Sequence, residues 1–309
     1  MTRHIRELLT GVAVAAIAVG VCESAMADQI IYWTNFSGRQ LVKADITTQT
    51  NTVIDTVPAA ASGNPDSLIF DTVGNIVYSM YNGSPGSVRS FNTNNTDTLI
   101  HSGYSSQTVD LALDPSGLTV LVADRGNNSL DRVTLANGNN AVLNSALGNL
   151  NGIAYDGSGN LFAVVNGTVD QLNPTTGAII KTGTAPANDG LTWDPFTGHL
   201  FAANGGCIEE ISTATLAGIA CRGSFGFVDG LESDGAGNIV IADVGSQHIA
   251  NYNITTGVSS NLIVASGLDD IAPVAGLGAP PPVPEPASLT LLGSALLGFG
   301  WLGRRKRSA

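Results

Sequence analysis

Short apolar runs alternate with turns rich in Gly, Asn and Asp along the middle of this chain. Five segments share one pattern, in which an apolar strand leads to an Asp, a Gly-containing turn and a second apolar strand. These segments are residues 66–80, 110–124, 151–165, 189–203 and 229–243. A more polar stretch follows each, as in residues 128–144, where period-two alternation brackets the turn sequence ANGNN. This alternation predicts two further strands per segment.

The segments recur at a nearly constant interval. The residues that open their turns are Asp71, Asp114, Asp156, Asp194 and Asp234, spaced by 43, 42, 38 and 40 residues. An Asp side chain caps such a turn, so we expect a structural role for these five. Four strands in about forty residues are typical of a β-propeller blade, since one small sheet cannot bury both faces and must pack against its neighbours.

The two ends of the repetitive region supply a sixth unit in two pieces. Residues 30–54 contain later strands without a first one, and residues 266–274 contain a first strand without later ones. Together they complete one blade and close the ring, which removes exposed sheet edges. Five or seven blades would leave a piece unmatched. We therefore predict an all-β fold, a six-bladed β-propeller over residues 28–275, whose N- and C-terminal strands share one blade.

Composition and charge restrict the classes of partner that this protein can bind. The chain carries a net charge of −12, and residues 28–286 hold 7 basic and 23 acidic residues, a net charge of −16. Such a surface repels nucleic acid and attracts divalent cations, so we expect no nucleic-acid partner. We also expect a monomer.

The N-terminus has the features of a secretory signal peptide. A basic start and an apolar run lead to Ala25 and Ala27, a small-x-small cleavage site, so residues 1–27 are predicted to be removed. Cys22 is a candidate site of lipidation. Lipoprotein signals have a small residue before this Cys, whereas this chain has Val21, so we do not expect a lipid anchor. An exported chain meets oxidising conditions, so Cys207 and Cys221 are predicted to form a disulfide.

The C-terminus combines three features. A Pro/Gly-rich linker (residues 276–286) ends in a Pro-Glu-Pro motif, an uncharged apolar run (residues 287–303) follows, and basic residues end the chain. The motif is Pro284, Glu285 and Pro286, and the basic residues are Arg304, Arg305, Lys306 and Arg307. We expect a sorting helix over residues 287–309, with its basic end held in the cytoplasm.

This arrangement resembles the PEP-CTERM sorting signal of bacterial exported proteins. The resemblance implies a Gram-negative bacterium and an exosortase-type membrane protease as processing partner. It implies export through the inner membrane and transient anchoring by the C-terminal helix, which is the sole membrane contact. It also implies a final place at the cell surface or outside the cell, often in an exopolysaccharide-rich matrix. The alternative is an ordinary C-terminal anchor.

Two stretches carry a resemblance to known propeller repeats. Tyr32, Trp33 and Thr34 are similar to the YWTD repeat, with Asn35 in place of its Asp. Residues 121–133 and 239–253 resemble NHL repeats, in which an Ala-Asp pair ends a strand. These resemblances bear on the fold, because propellers host enzymes, binders and scaffolds alike.

A set of polar residues lies five positions before the turn-opening Asp residues and at the matching place of the last strand. It comprises Asp66, Asn151, Asp189, Asp229 and Asp269. The second unit departs, with Val109 there and Asp110 one place on. Inner strands begin at one mouth of a propeller's channel, so we expect these side chains to form a ring of oxygens there. The sequence favours hydrogen bonds from these side chains to neighbouring backbone amides at the rim. The alternative is that the ring holds a hard cation, calcium above all.

The pairs Asn151-Gly152, Asp189-Gly190 and Asp229-Gly230 resemble inner-strand motifs of the gluconolactonase/regucalcin-like propellers. The resemblance implies a divalent metal held by Asn151 and by Asp189 or Asp229, with an Asp as general base in lactone hydrolysis. That family also uses a Glu ligand from another blade, and the nearest residues here are Asp66 and Asp269.

Two functional classes follow from these observations. The first is a non-catalytic binding or scaffold module of the cell envelope or matrix, engaging exopolysaccharide or surface proteins. The second is a metal-dependent, lactonase-like hydrolase that uses Asp189 or Asp229. The sequence favours the first, since it contains no nucleophile elbow, phosphate-binding Gly loop or HExxH motif.

Overall fold

The computed structural model describes residues 29–273, and that part of the chain forms twenty-four β-strands and one short 3-10 turn. Within these residues no helix is long and apolar enough to cross a bilayer. The predicted signal peptide, linker and sorting segment lie outside them. The first three strands are β1 (Ile30–Asn35), β2 (Gln40–Asp45) and β3 (Thr50–Thr56).

Five four-stranded antiparallel sheets follow, each built from consecutive strands. Blade 1 contains β4 (Asn64–Phe70), β5 (Ile76–Tyr81), β6 (Gly86–Phe91) and β7 (Asp97–Tyr104). Blade 2 contains β8 (Thr108–Leu113), β9 (Thr119–Asp124), the 3-10 turn Arg125–Asn127, β10 (Ser129–Thr134) and β11 (Asn140–Asn144). Blade 3 contains β12 (Leu150–Tyr155), β13 (Leu161–Val165), β14 (Thr168–Leu172) and β15 (Ile179–Lys181).

The last strand completes the ring. Blade 4 contains β16 (Leu191–Asp194), β17 (His199–Asn204), β18 (Cys207–Ile211) and β19 (Gly218–Arg222). Blade 5 contains β20 (Val228–Ser233), β21 (Asn238–Asp243), β22 (His248–Asn253) and β23 (Val258–Val264). Blade 6 joins both ends of the described region, because β24 (Leu268–Pro273) pairs with β1, with Trp33 opposite Ile271. The predicted six-bladed β-propeller is confirmed.

The hydrophobic core lies between the blades. The buried apolar residues of residues 29–273 form six clusters, one at each interface between neighbouring blades. Trp33, for example, is 3% exposed and packs with residues of blade 5 such as Ile249. Each blade thus buries its two faces against its two neighbours, which explains why the second strands are mostly buried and apolar in their middle.

The repeated Asp residues cap the turns between first and second strands. Asp156 Oδ1 accepts hydrogen bonds from the backbone N–H groups of Ser158 and Asn160, at 2.9 and 2.8 Å. Gly159 takes the left-handed conformation that the turn requires, with φ of +80°. These turns place the start of each inner strand at the same end of the channel.

Candidate functional site

The innermost strands β4, β8, β12, β16, β20 and β24 follow one another around the channel. Their ladders are irregular where the polar ring was predicted. The register shifts between Pro65 and Leu68 in β4 and between Val228 and Leu231 in β20. Asp66 and Asp229 lie inside these shifts. A β-bulge takes a residue out of the ladder and redirects its side chain, which is how these carboxylates reach the channel mouth.

Three of the predicted residues come together. Asp66, Asp229 and Asp269 each offer a carboxylate oxygen, and these oxygens lie within 4.8 Å of one another. The three residues belong to blades 1, 5 and 6, and all are half-buried. The mouth therefore gathers carboxyl groups from distant parts of the chain.

The environment of this trio opposes ionisation. Burial, and then the charge of Asp269, raise the pKa of Asp66 well above its usual range. Burial and the charges of Asp189 and Asp269 do the same to the pKa of Asp229. The Asp66 and Asp229 carboxyls hydrogen-bond with Asp269, which limits the rise in the pKa of Asp269. A hard divalent cation suits such a cluster of oxygens, because it would replace the shared protons and offset the repulsion between the carboxylates.

Asp189 and Asn151 are placed differently. Asp189 precedes β16, and burial raises its pKa, while a hydrogen bond with Asp229 and the charge of Arg125 limit the rise. Asn151 is 4% exposed, and both its oxygen and its nitrogen bond within the protein. Its Oδ1 accepts a hydrogen bond from Arg125 at 2.9 Å, and its Nδ2 donates to the Asn188 carbonyl at 2.7 Å. The structure thus brings Asp189 beside the trio and directs Asn151 to the channel wall.

Further acidic residues lie deeper in the channel, beyond the trio. The sequence analysis identified only Asp110 among them. Burial raises the pKa of Asp110 to about 7 and that of Glu232 to about 8. Burial likewise raises the pKa of Asp270 far above its usual range, with the charge of Asp110 as the next cause. The sequence feature that could have identified Asp270 is its position in the repeat. It lies one residue after the predicted ring position, as Asp110 does in the second unit.

The glycines that follow the ring residues have a packing role. A Cβ on Gly190 would lie 2.6 Å from the Asp229 carbonyl oxygen, and one on Gly152 would lie 2.6 Å from the Asp189 carbonyl oxygen. The Gly190 N–H donates to that Asp229 carbonyl at 3.0 Å. The Asn-Gly and Asp-Gly pairs therefore allow neighbouring inner strands to approach closely, and this packing role does not depend on a binding role of the acidic residues.

A wall of large side chains flanks the mouth on one side. Phe36, Tyr81 and Arg125 stand where the second strand of blades 6, 1 and 2 ends, whereas Asn166, Gly205 and Val244 stand there in blades 3, 4 and 5. The wall and the acids enclose a cavity of about 170 Å³. Larger grooves, up to about 460 Å³, lie between outer strands, but ionisable groups do not converge in them.

Sequence reasoning missed these three wall residues. The signal was the position at the end of each second strand, where three consecutive units have an aromatic residue or Arg as the last strand residue or the next one. Away from the mouth, Cys207 and Cys221 are joined in a disulfide between β18 and β19, with 5.8 Å between their Cα atoms.

Comparisons with known proteins identify the tail and the fold. The PEP-CTERM protein-sorting motif matches residues 282–306. A search of curated protein sequences finds no match. A chain in the crystal structure of a nidogen/laminin complex is 17% identical, with a TM-score of 0.66, over 80% of this chain and 98% of that one.

Two bacterial structures are also similar. A protein of unknown function from Bacteroides caccae is 11% identical, with a TM-score of 0.62, over 81% of this chain and 100% of that one. Virginiamycin B lyase from Staphylococcus aureus is 12% identical, with a TM-score of 0.56, over 76% of this chain and 81% of that one. At such identities the likeness shows the fold alone.

The sorting motif indicates export, C-terminal membrane anchoring during sorting, and processing by exosortase-type machinery. It covers the predicted Pro-Glu-Pro motif and most of the basic end. The chain is thus an exported six-bladed β-propeller that carries a PEP-CTERM sorting motif.

Proposed function

We propose that this protein is a non-catalytic binding module of the cell envelope or extracellular matrix, with a divalent cation, calcium by preference, held at the mouth of its propeller. The observation that carries the proposal is the convergence of Asp66, Asp229 and Asp269 from three blades, with oxygens within 4.8 Å of one another. The sorting motif supports a surface location.

The electrostatics of the mouth support a cation. Each carboxyl of the trio is half-buried, and burial raises the pKa of all three. A bound divalent ion lets them ionise together, because its charge offsets both the desolvation cost and their mutual repulsion. Asp269 hydrogen-bonds with both Asp66 and Asp229, so it lies at the centre of the oxygens that the ion would bind.

The dimensions of the mouth support binding over catalysis. The cavity of about 170 Å³ is smaller than the ~300–1,000 Å³ typical of pockets that enclose a ligand. A site of this size can grip an ion and one group of a larger partner that stays outside. Exopolysaccharide chains and surface proteins, the partners expected near the cell surface, are of this kind.

Calcium titration of the purified full-length protein tests the proposal. We expect a higher melting temperature in millimolar calcium than in chelator, since a ligand of the native state stabilises it by mass action. Asp269→Asn should abolish most of this shift. Asp156→Asn is the matched control, because it removes one charge from a half-buried turn and keeps the capping oxygen. Equal melting temperatures in chelator and calcium would overturn the proposal.

Asp189 favours the alternative, a metal-dependent lactonase-like hydrolase. It hydrogen-bonds with Asp229 beside the trio, and its raised pKa is a property of general bases. The engagement of Asn151 with Arg125 and Asn188 speaks against the ligand set that this function requires. Proton release from a panel of sugar lactones separates the two. Turnover that calcium supports and Asp189→Asn removes would replace the binding proposal with the hydrolase.

A further inference from the structure

Arg125 is a cation held at the mouth by uncharged partners. Its Nη1 donates to Asn151 Oδ1 at 2.9 Å and its Nη2 donates to the Tyr81 hydroxyl at 3.1 Å. No carboxylate oxygen of residues 29–273 lies within 4.0 Å of its guanidinium. A guanidinium has five N–H donors, so this side chain is fixed in place with donors to spare.

This arrangement differs from that of a structural Arg in the same fold. Arg89 and Arg222 contact Asp97 and Glu210 directly, at 3.0 and 2.7 Å. Arg125 lines the same cavity as four Asp residues, yet it pairs with none of them directly. Asn151 and Tyr81 hold its guanidinium apart from the Asp carboxyl groups. The mouth therefore presents separated positive and negative groups, and the positive one is available to an anion.

An aromatic pair completes the wall. The rings of Phe36 and Tyr81 lie with centroids 6.0 Å apart and planes tilted by 52°, and both line the cavity. The Arg125 guanidinium carbon lies 5.6 Å from the centre of the Tyr81 ring. Apolar faces beside a few fixed polar groups suit a ligand with both C–H and polar surfaces.

Size and charge together restrict the ligand. A volume of about 170 Å³ restricts the ligand to one small unit, such as a single sugar ring or a similar small acid. The hydroxyl groups of such a ring can donate to the Asp carboxylates, and an acidic group on it can accept from Arg125.

We propose that the mouth cavity recognises a single carboxylate-bearing sugar unit, a hexuronate, with its carboxylate bound by Arg125 and its ring against Phe36 and Tyr81. This inference deepens the proposed function by naming its ligand class. The cation at Asp66, Asp229 and Asp269 gives the carboxylate a second positive neighbour. Arg125 does not depend on that cation, so the two proposals can fail separately.

Calorimetric titration of the full-length protein with sodium glucuronate, in calcium and in chelator, tests the inference. Glucose, which lacks the carboxylate, is the matched ligand control. We expect glucuronate to bind at least tenfold more tightly than glucose, and Arg125→Gln to lose this preference. Lys43→Gln, which removes one positive charge from β2, should retain it.

Two further variants guard against misfolding. Arg125→Lys keeps the charge and loses the paired donors, and should bind glucuronate more weakly than the native protein but better than Arg125→Gln. Tyr81→Phe keeps the ring and loses the hydroxyl that holds Arg125, and should weaken glucuronate binding severalfold. A native-like thermal transition verifies that each variant is folded.

The outcomes separate this inference from the proposed function. Calcium stabilisation without glucuronate binding, or with binding that Arg125→Gln does not change, overturns the hexuronate inference alone. Glucuronate binding that depends on Arg125, in a protein whose melting temperature is the same in chelator and calcium, supports the inference and overturns the cation. A glucuronate-terminated oligosaccharide that binds more tightly than the free acid indicates a polymer as the source, whereas equal binding indicates the free sugar acid.

Discussion

Asp110 in blade 2 accepts a hydrogen bond from the backbone N–H of Ile153 in blade 3, with 2.7 Å between Oδ2 and the nitrogen. Its Oδ1 accepts another from the Ser67 hydroxyl of blade 1 at 2.8 Å. One side chain therefore joins the inner strands of three consecutive blades beside the channel.

We expect Asp110→Asn to lower the free energy of unfolding by about 1–3 kcal/mol, because the single oxygen of the amide cannot accept from the N–H groups of Ile153 and Leu111 together, which leaves one buried donor unpaired. Urea denaturation measures the change. Asp156→Asn, which keeps its acceptor oxygen in a turn, should cost less. Equal costs for the two variants would show that the contact between blades contributes nothing.

The stability of the protein should fall as pH rises. Burial raises the pKa of Asp110 to about 7 and of Glu232 to about 8 in the folded state, whereas Asp and Glu in an unfolded chain titrate near ~4. Between these values the folded state holds protons that the unfolded state has released. The stabilisation is therefore complete below about pH 4 and lost as pH rises through 7 and 8.

Urea denaturation in chelator between pH 4.5 and 8.5 tests this dependence. Glu232→Gln cannot titrate and should flatten the upper part of the curve. Glu209→Gln, on β18 away from the channel, serves as the control. A free energy of unfolding that stays constant or increases over this range would contradict the buried state of these acids.

Gly190→Ala should destabilise the contact between blades 4 and 5. Its Cβ would lie 2.6 Å from the Asp229 carbonyl oxygen, so the inner strands must separate, at a cost of about 1–3 kcal/mol. Calcium affinity should fall as well, because Asp229 moves with its backbone. In Gly206→Ala the nearest atom is 3.1 Å away, and the loss should be smaller. Chemical denaturation and calcium titration measure both effects.

The disulfide should stabilise the β18–β19 hairpin. Cys207 and Cys221 are 14 residues apart, and closing a loop of that length constrains the unfolded chain by about 3 kcal/mol. The double variant Cys207→Ala/Cys221→Ala should melt at a lower temperature than the native protein. Reductant should bring the native protein close to the variant, and an unchanged melting temperature in both cases would exclude this contribution.

The fold could be predicted because one unit repeats and the two ends complete each other. The Asp residues at 71, 114, 156, 194 and 234 mark the same turn in successive blades, so strand order and blade number follow from their spacing. Asp66 and Asp229 could be placed at the mouth for the same reason, since each lies five residues before such a turn.

The wall of the site could not be predicted in the same way. Arg125 follows a second strand, and nothing in its neighbours indicates that it reaches Asn151 in the next blade. That contact depends on a 3-10 turn and on the twist between adjacent sheets, which a repeat pattern does not encode. The hydrogen bond that Asn151 accepts from Arg125 could therefore not be predicted either. The role of Asn151 as a metal ligand remains a prediction.

The closing strand β24 has a consequence for how the mouth is assembled. Asp269 and Asp270 lie on it, so the trio at the mouth stays incomplete until the last strand of the ring pairs with β1. Every other blade can form from a continuous stretch of chain. If the mouth binds a cation as proposed, its affinity should therefore report ring closure, and a propeller that remains open at blade 6 should lose that affinity.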